Sequence, residues 1–297
     1  MQAPWHWNAL PSGAASTAPD APTVWALQRP ALTGDAQYRV LILPGSGCTA
    51  WQSIASRYTA GLLHAEVTLL HKPGVDLHAP QVQPPCSSEW ARRESLAAWR
   101  NQARQAVAAL AHVWAKGPAL PTVLVGVSEG AELLPALQAE LKGPLALVLV
   151  GSSGLDPRDQ GAAQMAAHGA ESEWAQLAAA IQSTRADGDV LHGRPLRYWR
   201  DFWHWPLMQP LLDSSWPLLR AWGSEDASVP SSAYQAGWGR AEHRPIPWCD
   251  LVIQRGDHGL QRPDLDGMQQ VWVRLESWAR SGADTASLCP SPLTRVE

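Results

Sequence analysis

Lysine is nearly absent from this 297-residue chain. Only Lys72, Lys116 and Lys142 occur among its 23 basic residues, and phenylalanine occurs once. No block of five or six basic residues appears, and 27 acidic residues bring the net charge to −4. That balance excludes an electrostatic nucleic-acid or membrane-surface role. No apolar run approaches the roughly 18 residues that a spanning helix needs. The stretch Met1–Pro11 lacks both a positive n-region and an apolar h-region, so it does not read as a secretory signal. The four cysteines, Cys48, Cys86, Cys249 and Cys289, form no C-x-x-C, which excludes a zinc ribbon. A chain this long needs no disulfide framework, so reduced thiols and a cytoplasmic protein are expected.

What is present fits one large core: hydrophobic residues make up 45% and charged residues 17%. Tryptophan is the oddity, with 17 residues. A shortage of Lys, Phe and Ile beside abundant Ala, Arg, Pro and Gly is what GC-rich coding produces. It accounts for the arginines and only partly for the tryptophans.

Residues 1–22 read as a loose arm and 281–297 as a tail, both rich in small residues and proline. Between them, apolar runs at 39–43, 67–71, 122–127, 145–150, 217–222 and 251–254 alternate with helical stripes. One stripe is Trp99, Ala103, Val107, Leu110 and Trp114. Another is Val271, Trp272, Leu275 and Trp278. Continuous apolar runs suit strands buried on both faces, so the alternation predicts an α/β protein with a mostly parallel central sheet flanked by helices. The core is expected over 23–150 and 217–280. The interval 151–216 is too long for a single crossover and carries its own apolar content, so it is expected to be a helical cap or lid between two late strands.

The chemistry centres on Gly126-Val127-Ser128-Glu129-Gly130. A strand-like TVLVG runs into this G-x-S-x-G and a helix-like stretch runs out of it. A sharp strand-to-helix turn exposes the serine hydroxyl and sets the next backbone N–H at a helix start, where it stabilises an oxyanion. A serine needs a base, and the base needs a carboxylate to orient it. His258, in Gly-Asp-His-Gly after the last strand run, is the best placed of the 10 histidines. Asp226, after the run ending at Trp222, is the favoured acid; Asp156, after the preceding run, is its rival. The chain order Ser, Asp, His puts each at the C-terminal end of a different strand, the edge where open α/β sheets bind ligands. The first strong strand ends in Leu43-Pro44-Gly45-Ser46-Gly47, where Ser46 or Gly47 is positioned to donate a second N–H. That loop also mimics a dinucleotide fingerprint. The next strand run ends in His71-Lys72, not in the acid a ribose would want.

With these motifs the sequence resembles the α/β-hydrolase superfamily over residues 23–279. GVSEG matches the nucleophile elbow, LPGSG the oxyanion loop, GSEDASVP the acid turn and GDHG the histidine loop. The resemblance implies Ser128 as nucleophile, His258 as base and Asp226 as acid, with an oxyanion hole from Glu129 and from Ser46 or Gly47. The insertion falls where members of the superfamily carry a lid. Pro44-Gly45 departs from their common His-Gly. The expected activity is cleavage of a small-molecule carboxylic ester through an acyl-enzyme, with no cofactor and no metal. Amidase, aminopeptidase, thioesterase and acyltransferase chemistry fit the same triad, and a non-catalytic ligand-binding member is the alternative of a different class. Trp199, Trp203 and Trp205, crowded into the insertion, are expected to overhang Ser128 and bind a bulky apolar group. Oligomeric state is not legible.

Overall fold

A computed structural model describes the protein at residues 4–10, 24–75, 77 and 86–289. These residues form an eight-stranded sheet. It opens with two antiparallel strands, β1 (His6–Leu10) and β2 (Val24–Arg29). Next come β3 (Tyr38–Leu43), β4 (Ala65–Leu70), β5 (Thr122–Val127) and β6 (Leu145–Val150). A two-residue pair, β7 (Val190–Leu191) and β8 (Arg194–Pro195), forms a separate hairpin. β9 (Leu218–Gly223) and β10 (Trp248–Ile253) complete the main sheet. Its spatial order is β1-β2-β4-β3-β5-β6-β9-β10, parallel from β4 to β10.

The parallel strands from β4 to β9 are mostly apolar because both of their faces are covered. Leu41, Leu43, Leu124, Leu147 and Leu149 pack into one core cluster with Trp99, Ala103 and Val107 of α3 (Leu96–Trp114). Their sequence neighbours Val40, Ile42, Val123, Val125 and Val148 face the opposite cluster. There they meet Met268, Val271, Trp272 and Leu275 of α10 (Gly267–Arg280). The period of two along each strand thus divides one run between two cores.

Several expectations are corrected. Residues 6–10 lie within the expected loose arm and instead form β1, whose ladder to β2 gives that edge a partner; residues 11–22 lie outside the described residues. The expected tail is anchored as far as Cys289 by α11 (Thr285–Leu288) and a disulfide. The cysteines are not reduced thiols. Cys48 pairs with Cys86 and Cys249 with Cys289, with Cα–Cα distances of 5.7 and 5.5 Å. Partners 38 and 40 residues apart in sequence carry no spacing motif, and only the fold brings them within bonding reach. The stretch after Ser128 is not one helix: a 3₁₀ turn (Ser128–Leu133) leads into the short α4 (Leu134–Gln138). Pro135 offers no N–H to the preceding turn, so it starts a helix but cannot continue one.

Between β6 and β9 the chain builds α5 (Pro157–Ala167), α6 (Glu171–Gln182), the β7–β8 hairpin, α7 (Leu196–Trp203) and α8 (Met208–Asp213). Among the described residues no helix is long and apolar enough to cross a membrane.

Candidate active site

Ser128 follows β5 directly and has φ of 51°, a left-handed conformation unusual for a residue with a side chain. The turn closes only because its flanks are glycine. A Cβ on Gly126 would collide with the Ala131 backbone, and one on Gly130 with the Leu43 carbonyl oxygen. The motif spacing is therefore a packing requirement of strand against turn, and its result is a serine lifted out of the β5 end.

The loops after β9 and β10 bring the other two residues to it. The Ser128 hydroxyl lies 3.1 Å from His258 Nε2, and His258 Nδ1 lies 2.9 and 3.0 Å from the two Asp226 oxygens. A carboxylate beside Nδ1 holds the proton there, which leaves Nε2 free to accept from the serine. Asp226 Oδ1 also accepts from the Ser228 and Val229 amides at 2.8 and 2.9 Å, and Oδ2 from the Tyr234 hydroxyl at 2.9 Å. Burial alone would raise the Asp226 carboxyl. The His258 hydrogen bond and charge, with the Val229 amide and Tyr234 hydroxyl, outweigh it and hold the group below its ordinary range. Tyr234 is stacked on Trp222 at 4.4 Å, which fixes its ring. Sequence reasoning passed over this tyrosine; its one signal is a place in the helix that follows the acid turn.

Asp156 does something else. Its Oδ1 accepts from the Leu207 and Met208 amides at 2.7 and 2.8 Å, capping the start of α8.

A cavity of about 470 Å³ opens beside Ser128 and His258, with Ser46 on its wall. Gly47 is not part of that wall. Of the three tryptophans expected there, only Trp199 lines the cavity. Trp203 lies behind it, 4.8 Å from Trp174, which does line it. Trp205 is buried in the main core, where its indole N–H donates to the Glu132 carbonyl at 2.9 Å and Arg100 stacks over its ring. Trp199 and Trp203, four apart on α7, share one face and pack on the same small apolar cluster. Trp205 lies beyond the helix end and turns into the main core, a division that crowding in sequence conceals.

Beneath the cavity lies a buried ionic cluster that the sequence did not disclose. The Lys72 ammonium pairs with Glu94 at 2.9 Å and with Glu129. Arg194 donates to Glu129 at 2.7 Å and to Glu94 at 3.2 Å, and the Tyr198 hydroxyl donates to Glu129 at 2.8 Å. Burial would raise Glu129, but Lys72 and Arg194 overcome it and hold the carboxylate ionised. Groups far apart in sequence thus converge on the residue next to Ser128. Arg200 stays outside: it binds the Ile181 and Ser183 carbonyls at the surface. Among the described residues, no group of three or more His, Cys, Asp or Glu side chains is arranged to hold a metal.

No known family model matches the sequence, and no curated protein matches it. Solved structures do match. The esterase domain of a Rhodothermus marinus protein is 15% identical with a TM-score of 0.58, over 94% of this chain and 98% of that one. A putative hydrolase from Agrobacterium vitis S4 is 18% identical with a TM-score of 0.57, over 93% and 98%. A thermophilic esterase from Thermogutta terrifontis is 16% identical with a TM-score of 0.54, over 94% and 100%. With the strand order above, these likenesses define the class: the chain has the α/β-hydrolase fold.

Proposed function

We propose that this protein is a serine hydrolase that cleaves carboxylic esters, with Ser128 as nucleophile, His258 as general base and Asp226 as the orienting acid. The observation that carries the reading is the unbroken chain from Ser128 Oγ through His258 to Asp226, held by bonds of 3.1 and 2.9 Å at a strained turn. Ser128 Oγ attacks the ester carbonyl while its proton passes to His258 Nε2. The tetrahedral oxyanion is held by the Glu129 amide and by the Ser46 amide, in preference to Gly47. Collapse expels the alcohol, protonated by His258, and leaves an acyl-enzyme. Water activated by the same histidine then releases the acid.

Residues 151–216 act as the cap: their helices carry Trp174, Trp199 and Phe202 on the cavity wall. Two disulfides favour an oxidising compartment over the cytoplasm. Labelling by a fluorophosphonate probe tests the nucleophile. The wild type should label and hydrolyse p-nitrophenyl acetate, and Ser128→Ala should do neither. Equal labelling and turnover of the alanine variant rejects the assignment.

A further inference from the structure

One polar group on the cavity wall has no part in the triad or the ionic cluster. Glu132, one turn beyond Ser128, is 5% exposed and lines the cavity. Its Oε2 is buried with no hydrogen-bond partner among the described residues. An unpartnered buried oxygen is costly, and such a group is retained where something else completes it.

The charges around it narrow what that is. Lys72 and Arg194 pair with Glu94 and Glu129, two cations against two anions, so the cluster is balanced. Burial, then the neighbouring Glu129 carboxylate, push the Glu132 carboxyl well above its ordinary range, against the weaker pull of Arg194 and Lys72. Held toward its protonated form, the group on the cavity wall can both donate and accept. An anionic substrate would find Lys72 and Arg194 already paired with Glu94 and Glu129, and a cation would require Glu132 to lose its proton in a buried site. An uncharged hydroxyl satisfies the acid without either penalty. The same wall carries the neutral amides of Gln160 and Gln164 together with Glu173 and His192, while Trp174, Trp199 and Phe202 offer apolar faces.

We propose that Glu132 is the specificity-determining residue of this site and selects esters whose cavity-bound portion is apolar, uncharged and bears a hydroxyl. The proposal rests on the ester-hydrolase reading above.

Matched esters test it. On the acyl side these are p-nitrophenyl 3-(4-hydroxyphenyl)propanoate and p-nitrophenyl 3-phenylpropanoate; on the alcohol side, 2-(4-hydroxyphenyl)ethyl acetate and 2-phenylethyl acetate. Counterparts with a carboxylate or trimethylammonium in place of the hydroxyl complete the panel. In at least one pair the wild type should favour the hydroxylated ester by about tenfold or more in kcat/KM. Glu132→Gln, which keeps a donor and an acceptor, should retain most of that ratio. Glu132→Leu should erase it, the ratio being read between the two esters within the variant whatever its absolute rate. Equal rates within both wild-type pairs overturn the proposal, as does a preference for a charged counterpart; both need no variant. A ratio that survives in Glu132→Leu overturns it too. Hydrolysis of the unsubstituted esters, lost in Ser128→Ala, reports on the hydrolase reading separately.

Discussion

The two aspartates that compete in the sequence separate at the level of single hydrogen bonds. Asp226 meets the His258 ring, two amides and a tyrosine hydroxyl, whereas Asp156 meets the two amides that begin α8. Asp226→Asn replaces one acceptor oxygen with an NH₂ and no longer fixes the imidazole tautomer. It should lower kcat on p-nitrophenyl acetate by about 10⁴-fold with little change in KM. Asp156→Asn keeps an acceptor for the capping amides. It should stay within a few-fold of wild type and shift stability by less than about 1 kcal/mol. Steady-state kinetics of the two variants side by side, with thermal melts, read the difference. The reverse ranking would make Asp156 the acid.

Elements were legible where their burial is uniform. The six apolar runs correspond to β3, β4, β5, β6, β9 and β10. The first five are buried along nearly their whole length and need few polar positions. β10, at the sheet edge, buries only Trp248 and Ile253 and shows through its Leu251–Ile253 run. β1 escaped notice because only Leu10 in it is buried, so an edge strand reads like a polar arm. The Ser128, His258 and Asp226 positions were legible because each sits in a short Gly- or Pro-bounded turn at a strand end. The convergence of Glu129, Lys72 and Arg194 was not, since ion pairs between distant segments leave no period or motif. The Cys48–Cys86 disulfide belongs to the same class, and it bears on the site. It ties the loop carrying Ser46 to the segment preceding α2 (Ser88–Arg93). Closing a loop of 38 residues is worth about 3–4 kcal/mol in the chain-entropy view. Replacing both cysteines by alanine should lower Tm. It should also reduce kcat more than KM, as a loosened oxyanion donor does. An unchanged kcat with a lowered Tm would confine the disulfide to stability. Cys249–Cys289, which fastens α11 to β10, should affect Tm alone.

For the molecule as a whole, two carboxyl groups at one site pull stability in opposite directions as pH changes. Asp226 is held below its unfolded value, so its contribution is present at neutral pH and is lost as pH falls through its folded value. Glu132 behaves oppositely. In the unfolded chain it releases its proton near pH 4.3, as glutamate ordinarily does. In the folded protein, burial and then Glu129 keep the proton on. Over the interval between those two values the folded state binds more protons than the unfolded state, so stability declines as pH rises. Glu132→Gln cannot titrate and lacks that decline. Measured against its own offset from wild type at pH 4, the variant should gain on the wild type increasingly toward neutrality. A single titrating carboxyl limits that gain to about 1.4 kcal/mol for each pH step of one. Denaturant unfolding of both proteins from pH 4 to 8 measures the gap directly. A gap that is constant with pH would mean Glu132 ionises at its ordinary value. The cavity would then carry a fixed negative charge, and the natural substrate would be expected to bear a compensating cation.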